Sequence, residues 1–311
     1  MNWYQGFEKF VTENEPLARK TTYRVGGPAE FFAQPPDAMA LGELMRRAQD
    51  ENIPSRFLGH GTNLLVADSG VRGLVIKLPK FGFGFLRRDG RRLHVGAGYS
   101  LPGLVKWSVS HGLRGLECLQ GVPGTVGAAL RMNAGGKYGE IGSRVRRVRG
   151  FERDGLPFDF NRAGCGFKYR NSALSGRIVA DCELELDEGD SSSGEEMMLR
   201  ILEEKCATQP VDARSAGCVF KNPLMNGVPP AGKLIDEIGL KGRRIGGASV
   251  SELHANFLVC EGRASARDLV QLIRTIRGEV LHQRGVMLEL EVEVWGLENE
   301  ELLPPGKIQV A

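Results

Sequence analysis

The sequence predicts an α+β protein in which short strands and helices are joined by many tight turns. Three observations support this class. Short apolar runs rich in β-forming residues alternate with a helical segment in the first half. The last hundred residues contain a long amphipathic helix followed by an alternating strand pattern. A polar stretch of small residues, DEGDSSSG at 187–194, separates these two regions and predicts a loop or boundary.

In the first half, the β-rich runs 74–78, 92–95 and 178–186 predict strands. Residues 37–50 predict a helix, because their apolar side chains recur largely at helical spacing. A further run alternates arginines with valines, and its arginines are Arg144, Arg146, Arg147 and Arg149. Such alternation is typical of a solvated strand face, so this run is no evidence for a nucleic-acid site.

After the polar stretch, a helix with an apolar face (Met197, Met198, Ile201 and Leu202) is predicted to end before Pro210. Ser265 with Asp268 resembles a capping box at the start of a second helix, which Gly285 closes. Residues 288–294 alternate strictly between apolar side chains and glutamates, which predicts a half-buried strand. We expect the tail after Trp295 to be loose.

The composition is ordinary for a soluble globular protein, with 41% apolar and 25% charged residues in 311. A net charge of +3 is too small to indicate a nucleic-acid partner. Six scattered cysteines without a CxxC pair fit reduced thiols in a cytosol. We see no signal peptide and no apolar run near the ~18 residues of a membrane span, so we expect a cytoplasmic protein with no membrane contact.

Two glycine-rich loops are the strongest binding signals, GHGTN at 59–63 and GVPGTVG at 121–127. NAGG at 133–136 follows the second loop closely. Glycines leave backbone N–H groups unshielded, so that these groups can converge on an anion. Either loop alone could be a tight turn between strands. Together they predict one ligand with two phosphates, a dinucleotide cofactor.

Two familiar nucleotide motifs fit poorly. VGAGYSLPG at 95–103 begins like a Rossmann turn, but Leu101 occupies the position of the third glycine. GVPPAGKL at 227–234 has the spacing of a P-loop as far as Lys233. Leu234 then replaces the magnesium-binding Ser or Thr, and two prolines remove N–H donors. Neither nucleotide fold is supported.

Eight ordered blocks between residues 15 and 296 carry a family resemblance. They are PLARKTTYRVGGPAEFF, LGHGTNLLV, LQGVPGTVGAAL with MNAGG, FKYRNS, SAGCVFKNP, AGKLIDEIGLKG, HANFLV and LELEVEVWG. In this order they resemble the UDP-N-acetylenolpyruvoylglucosamine reductase family, flavoenzymes of bacterial peptidoglycan synthesis. The chain has no room for a substrate-lid insertion, so it is similar to the shorter, type II class.

The resemblance implies a vanillyl-alcohol-oxidase-type FAD-binding fold of two α+β subdomains and a C-terminal α+β substrate-binding domain. We place the FAD-binding domain at 1–190, with subdomains at about 15–78 and 79–190, the substrate-binding domain at 195–300 and a tail at 301–311. The implied cofactors are FAD and, as co-substrate, NADPH, with no metal. The expected FAD contacts are Gly59, His60, Gly61, Thr62, Asn63, Leu64, Gly121, Val122, Pro123, Gly124, Thr125, Gly127, Asn133 and Ala134.

The implied reaction passes hydride from NADPH through flavin N5 to the vinyl carbon of an enolpyruvyl ether. By its match to FKYRNS, Arg170 would hold the substrate carboxylate. By its match to SAGCVFKNP, Cys218 would donate the proton, where the commonest form of the family has Ser. A thiol is a stronger acid than a hydroxyl and can serve, although it is exposed to oxidation. Glu291 would be the third catalytic residue.

Lys221, Asn222 and Lys241 are expected to contact the substrate, a UDP-sugar. Other departures from the family pattern are His60, Lys233 and Glu293, which bear on affinity rather than on the reaction. No site for a 2′-phosphate can be identified, so the preference for NADPH over NADH is the weakest part of the cofactor prediction. A monomer is expected. Two alternatives stay open, a flavin oxidase of sugars or alcohols and a non-catalytic flavin or UDP-sugar sensor.

Overall fold

A computed structural model describes residues 2–304 and divides them into two compact units, neither of which is one continuous stretch of chain. Unit 1 contains the residues up to Glu15 together with Glu30–His60 and Arg72–Lys205. Unit 2 contains Pro16–Ala29, Gly61–Val71 and the described residues from Cys206 onward. The mixture of helices and strands in both units is that of an α+β protein, as expected.

The units differ from the predicted domains 1–190 and 195–300, because the helix that begins at Ser191 belongs to unit 1 as far as Lys205, and residues 16–29 and 61–71 belong to unit 2. Side chains of this helix hydrogen-bond in unit 1: Lys205 Nζ donates to the Gln120 carbonyl at 2.5 Å, and Lys137 Nζ pairs with Glu204 at 3.0 Å. Residues 16–29 and 61–71 are held in unit 2 by backbone bonds, such as that from Ala67 N to Trp295 O at 2.9 Å. These long-range pairings leave no periodic signal in the sequence.

Unit 1 is built on a four-stranded and a five-stranded sheet, with strand orders β1-β2-β5-β3 and β12-β11-β13-β7-β6. Their strands are β1 Val11–Pro16, β2 Pro28–Ala33, β3 Ser55–Phe57, β5 Val71–Ile76, β6 Leu86–Asp89, β7 Arg92–Gly96, β11 Val145–Phe151, β12 Pro157–Asn161 and β13 Ile178–Glu185. Short two-stranded pairs add β8 Leu113–Arg114 with β14 Asp187–Glu188, and β9 Gly135–Gly136 with β10 Gly139–Glu140. The predicted strands at 74–78, 92–95 and 178–186 are confirmed with small shifts.

The helices of unit 1 cover these sheets. They are α1 Ala38–Asp50, α2 Lys80–Phe83, α3 Leu101–Ser110, α4 Val126–Arg131 and α5 Ser191–Thr208. Helix α1 begins where Asp37 accepts a hydrogen bond from Ala40 N at 2.9 Å, as an N-cap does. Its buried face carries Leu41, Leu44 and Met45, so the predicted helix is confirmed. The predicted loop at 187–194 is wrong in part, because α5 already starts at Ser191.

Three arginines of the run at 144–149 lie on strand β11, and Arg144 directly precedes it. Arg146 and Arg147 are exposed, as a solvated strand face predicts, and all four charges are also paired. Each arginine forms an ion pair with an acid on β12, β13 or β14. The pairs are Arg144 with Asp187, Arg146 with Glu185, Arg147 with Asp159, and Arg149 with Asp181 and Glu183. This cross-strand pairing accounts for the basic cluster without any external partner.

Unit 2 is organised around one long helix, α7 Ala266–Arg284. The capping box is confirmed: Ser265 Oγ accepts from Asp268 N at 3.2 Å, and Asp268 Oδ2 accepts from Ser265 N at 2.9 Å. Gly285 ends the helix in the left-handed conformation. The remaining elements are β4 Leu64–Val66, α6 Ala231–Glu237, β15 Arg244–Ile245, β16 Ala248–Val250, β17 Leu258–Cys260 and β18 Glu293–Trp295.

One prediction for the end of the chain is right in part and one is wrong. The strand predicted at 288–294 is regular only in β18, which pairs in parallel with β4, and Leu290 forms an isolated bridge with Phe220. The burial of Leu288 and Val292 follows the expected alternation. The tail is not loose as far as it is described, because Arg274 and Arg277 of α7 donate to the carbonyls of Leu303 and Leu302. Residues 305–311 of the predicted tail lie outside the described residues.

Within residues 2–304, no helix combines the length and the apolar character that crossing a membrane requires.

Candidate functional site

A cavity of about 490 Å³ lies in unit 1, a size typical of small-molecule sites. Its wall is formed by the chain after β3, the loop from β5 into α2, the segment after β7, the first turns of α4 and the start of β13. The basic side chains in this wall are His60, Lys77, Lys80, Arg131 and Arg177, and its described lining contains no acid. The cavity is therefore suited to an anionic ligand.

The second glycine-rich loop is joined to the segment 97–101 by backbone hydrogen bonds. Leu101 N donates to Gly124 O at 3.0 Å, and Val126 N donates to Tyr99 O at 2.9 Å. Gly127 N donates to Ala97 O, also at 2.9 Å. The N–H groups of Val126 and Gly127 are thus engaged within the protein, and these bonds set one wall of the cavity.

Two glycines permit close approaches inside this wall. A Cβ on Gly127 would lie 2.8 Å from Ala97 Cβ, and a Cβ on Gly59 would lie 3.1 Å from Thr125 Oγ1. Thr125 also caps α4 by accepting from Ala128 N at 3.4 Å. Glycine is therefore required at 127 for the packing of α4, whatever the ligand is.

Of the predicted FAD contacts, Gly59, His60, Thr125 and Gly127 line the cavity. The chain passes from unit 1 to unit 2 after His60, so Gly61, Thr62, Asn63 and Leu64 belong to unit 2. There Gly61 O accepts from Thr22 N at 3.1 Å, and Leu64 pairs with Glu293. The residues Gly121, Val122, Pro123, Gly124, Asn133 and Ala134 lie outside the lining of this cavity.

Asn133 has a structural setting that its position in NAGG did not suggest. It is buried with φ of 45°, a left-handed conformation that asparagine tolerates. Its Oδ1 accepts from Gly142 N at 3.1 Å, and its Nδ2 donates to Lys168 O at 3.1 Å. Both ends of the amide therefore connect backbone segments of unit 1. Contact with a cofactor stays a prediction.

Sequence reasoning missed part of the cavity wall. The segment 97–100 matches a Rossmann turn incompletely, yet all four of its residues line the cavity. The signal was present in VGAGYSLPG as a glycine-rich turn after an apolar strand. Lys77, Arg131 and Arg177 were also missed, because isolated basic residues carry no motif.

Arg170 sits in unit 1 on a tight turn, with φ of 52°. Lys168 and Asn171 exchange backbone hydrogen bonds across the turn, at 2.9 and 3.1 Å. Arg170 Nη1 donates to Gly135 O at 2.8 Å, and the guanidinium carbon lies 5.4 Å from the centre of the Tyr169 ring. A left-handed conformation at a non-glycine residue costs free energy, which is typical of functional positions.

Cys218 and Glu291 lie in unit 2 on neighbouring extended segments. Glu291 N donates to Val219 O at 2.8 Å, one residue beyond Cys218. Cys218 also forms a bridge with Phe257, and Asn63 Nδ2 donates to Glu291 O at 2.9 Å. Two of the three predicted catalytic residues are thus brought together by backbone pairing.

The three glutamates of the last strand pattern have different environments. Glu289 is largely exposed and pairs with Lys221 at 3.4 Å. Glu291 and Glu293 are half-buried, and Glu293 accepts from Trp295 Nε1 at 3.0 Å. The burial of Glu291 therefore argues against an ordinary solvated face, which the alternating pattern of 288–294 alone favours.

The predicted substrate contacts also lie in unit 2. Lys241 forms an ion pair with Asp236 at 2.8 Å. Asn222 Oδ1 accepts from Ala231 N at 3.1 Å, at the start of α6. Lys221 N donates to Glu289 O at 2.9 Å, next to its side-chain pair. Their roles toward a substrate stay predictions.

Two family models match the chain. Residues 209–295 match the C-terminal domain of UDP-N-acetylenolpyruvoylglucosamine reductase, and residues 29–160 match an FAD binding domain. These matches correspond to the C-terminal part of unit 2 and to a stretch that supplies most of the cavity wall. They confirm the predicted FAD-binding fold class.

Curated relatives match over nearly their whole length. UDP-N-acetylenolpyruvoylglucosamine reductase 2 of Symbiobacterium thermophilum is 43% identical over 92% of this chain and 92% of its own. The reductase of Heliobacterium modesticaldum is 42% identical over 91% of this chain and 90% of its own. A crystal structure of the Thermus caldophilus reductase superposes with a TM-score of 0.80 at 40% identity, covering 92% of this chain and 100% of that one.

Proposed function

The chain belongs to the UDP-N-acetylenolpyruvoylglucosamine reductase family, and we propose that it reduces UDP-N-acetylglucosamine enolpyruvate to UDP-N-acetylmuramate with NADPH. Identity of 43% over 92% of both chains is the observation that carries this proposal. The reaction belongs to the synthesis of peptidoglycan precursors. We further propose that the protein acts in the cytoplasm, as a monomer.

The cavity of unit 1 fits FAD as the bound cofactor. A dinucleotide carries two phosphates, and the described wall presents four lysine and arginine side chains together with His60, and no acid. Gly59, Gly98 and Gly127 in this wall keep side chains away from the ligand. Tyr99 adds an aromatic surface. FAD, when bound, carries hydride from NADPH to the vinyl carbon of the substrate, which no side chain can do.

Arg170 would hold the substrate carboxylate. As hydride reaches the vinyl carbon, negative charge develops on the adjacent carbon and spreads into that carboxylate. A guanidinium remains charged throughout and can donate two parallel hydrogen bonds to a carboxylate. The bond from Arg170 Nη1 to Gly135 O orients the group before substrate binds, which reduces the entropy lost on binding.

Cys218 would donate the proton that completes the reduction. Its S–H proton goes to the carbon next to the new C–H bond, and the thiolate regains a proton from solvent. Glu291 lies on the segment that neighbours Cys218, and it would assist the enolate as a protonated acid or orient the guanidinium of Arg170. Lys221, Asn222 and Lys241 of the same unit would contact the UDP-sugar.

The decisive experiment supplies the purified, yellow protein with NADPH and the enolpyruvyl substrate and follows the oxidation of NADPH. We expect turnover that depends on both compounds and produces UDP-N-acetylmuramate. UDP-N-acetylglucosamine, which lacks the double bond, is the control and should give none. Oxygen consumption with an alcohol would instead identify an oxidase. Binding of the substrate without turnover would identify a sensor, and either result would refute the proposal.

A further inference from the structure

Lys205 is a half-buried lysine that the proposed mechanism leaves unused. It lies in the last full turn of α5, where its Nζ donates to the carbonyl of Gln120 at 2.5 Å. Its side chain crosses Gly121, because a Cβ on that glycine would lie 2.9 Å from Lys205 Cδ. The ammonium is thus directed to the start of the second glycine-rich loop, away from bulk solvent.

A short hairpin connects the surroundings of Lys205 to Arg170. Strands β9 and β10 pair with each other and pack on the turn 117–119 that leads to Gln120. Gly135 of β9 accepts the bond from Arg170 Nη1, and a Cβ on Gly139 of β10 would lie 3.3 Å from Cys118 Sγ. Arg170 is therefore bonded to the hairpin itself, whereas Lys205 is bonded to the carbonyl that directly follows the turn on which this hairpin packs.

The acid next to Lys205 in the sequence, Glu204, forms hydrogen bonds with the hairpin. Glu204 accepts from Lys137 Nζ at 3.0 Å and also from the Tyr138 hydroxyl, at the tip of the hairpin. Burial lowers the pKa of Lys205, and the positive charge of Arg170 lowers it further, whereas Cys118 acts in the opposite sense. In a partly desolvated place, an anion that contacts both positive charges is favoured.

We infer that Lys205 is a second cationic contact for the enolpyruvyl carboxylate of the substrate, alongside Arg170. This inference rests on the proposed function, since that function supplies the carboxylate. An ammonium has three N–H groups, so the bond to Gln120 O leaves it able to donate to a ligand. Arg170 would provide the forked contact, and Lys205 a point charge on the other side of the same group.

The test compares two ligands that differ in the enolpyruvyl group, which carries the carboxylate. Oxidised holoenzyme is titrated with UDP-N-acetylglucosamine enolpyruvate and with UDP-N-acetylglucosamine, and binding is read from the flavin absorbance. In Lys205→Met we expect about 10- to 100-fold weaker binding of the enolpyruvyl ligand, as for a lost charged hydrogen bond. Binding of UDP-N-acetylglucosamine should stay within about 2-fold, and Lys205→Arg should recover most of the loss.

Two further variants distinguish a direct contact of Lys205 with the ligand from a purely structural role. Lys137→Met removes a lysine of the same hairpin that pairs with Glu204, and it should bind both ligands as the wild type does. Lys205→Gln keeps a donor for Gln120 O, so the comparison does not depend on the folding of one variant. Three results would overturn the inference. They are equal losses of affinity for both ligands, no loss of affinity, and loss of FAD in the Lys205→Met and Lys205→Gln variants. Absence of turnover in the wild type would instead refute the proposed function.

Discussion

Cys218 places a thiol at the position of the proposed proton donor. We expect Cys218→Ser to keep much of the turnover, because a hydroxyl can donate the same proton. Cys218→Ala should lose about 10²- to 10⁴-fold in turnover, the usual contribution of general acid catalysis. Reduction of FAD by NADPH should be unchanged in both variants. Stopped-flow measurement of the two half-reactions checks this, and full turnover of the Ala variant would exclude Cys218 as donor.

His60 gives the cavity a dependence on pH. Burial lowers the pKa of His60, and the nearby charge of Lys77 lowers it further. The unfolded chain therefore binds a proton at higher pH than the folded chain does. Stability of the FAD-free protein should rise with pH across the window from the lowered pKa to about 6.5. Urea unfolding should show a shallower pH dependence in His60→Gln, whereas exposed His282→Gln, the control, should leave the slope unchanged.

At the scale of single elements, the capping box of α7 offers a clean test of local stability. Ser265→Ala removes the acceptor of Asp268 N at the helix start. The expected cost is about 1 kcal/mol in the free energy of unfolding, as for other N-cap serines. Ser265→Thr keeps the acceptor and should be close to the wild type. Equal stability of the Ala and wild-type proteins in urea would contradict this reading of the cap.

Helix α4 tests whether the cavity wall depends on close packing. In Gly127→Val the new side chain would meet Ala97, which should push α4 away from the segment 97–101. We expect the protein to fold but to lose FAD during purification. Gly136→Val is the control, since a Cβ there meets nothing within 4 Å. The flavin content per protein, measured by absorbance, shows whether Gly127→Val has lost FAD while Gly136→Val has kept it. Full flavin content in Gly127→Val would contradict the expectation.

Local patterns predicted the elements that local contacts stabilise. The capping box of Ser265 with Asp268 and the helix at 37–50 form as expected, because a cap and a helical face involve only residues three or four apart. The strand predicted at 288–294 is regular only at its end, where it pairs with β4, a partner that no local pattern contains. The segment 97–101 was missed as a binding loop for the same reason, since its partner Gly124 comes from another part of the chain. The roles of Arg170, Cys218 and Glu291 came from the family resemblance and stay predictions.

For the whole molecule, the charges of the cavity wall predict a selective stabilisation by FAD. A ligand at 100 times its Kd adds about 2.7 kcal/mol to the stability of the folded state. Riboflavin lacks the phosphates, so it should stabilise much less than FAD at the same concentration. Thermal unfolding with each compound measures this difference. Equal shifts in Tm would show that the basic side chains of the wall contribute little to binding.

The parallel pairing of β4 with β18 has a consequence for biosynthesis. Asn63 and Glu291, whose amide and carbonyl meet beside this pair, are 228 residues apart. At translation rates of about 5–20 residues per second, the earlier strand waits roughly 10–50 s for its partner. During that time an apolar strand edge, LLV, leaves the ribosome unpaired. We expect a nascent chain halted before residue 286 to recruit chaperones, and one that includes Trp295 to release them.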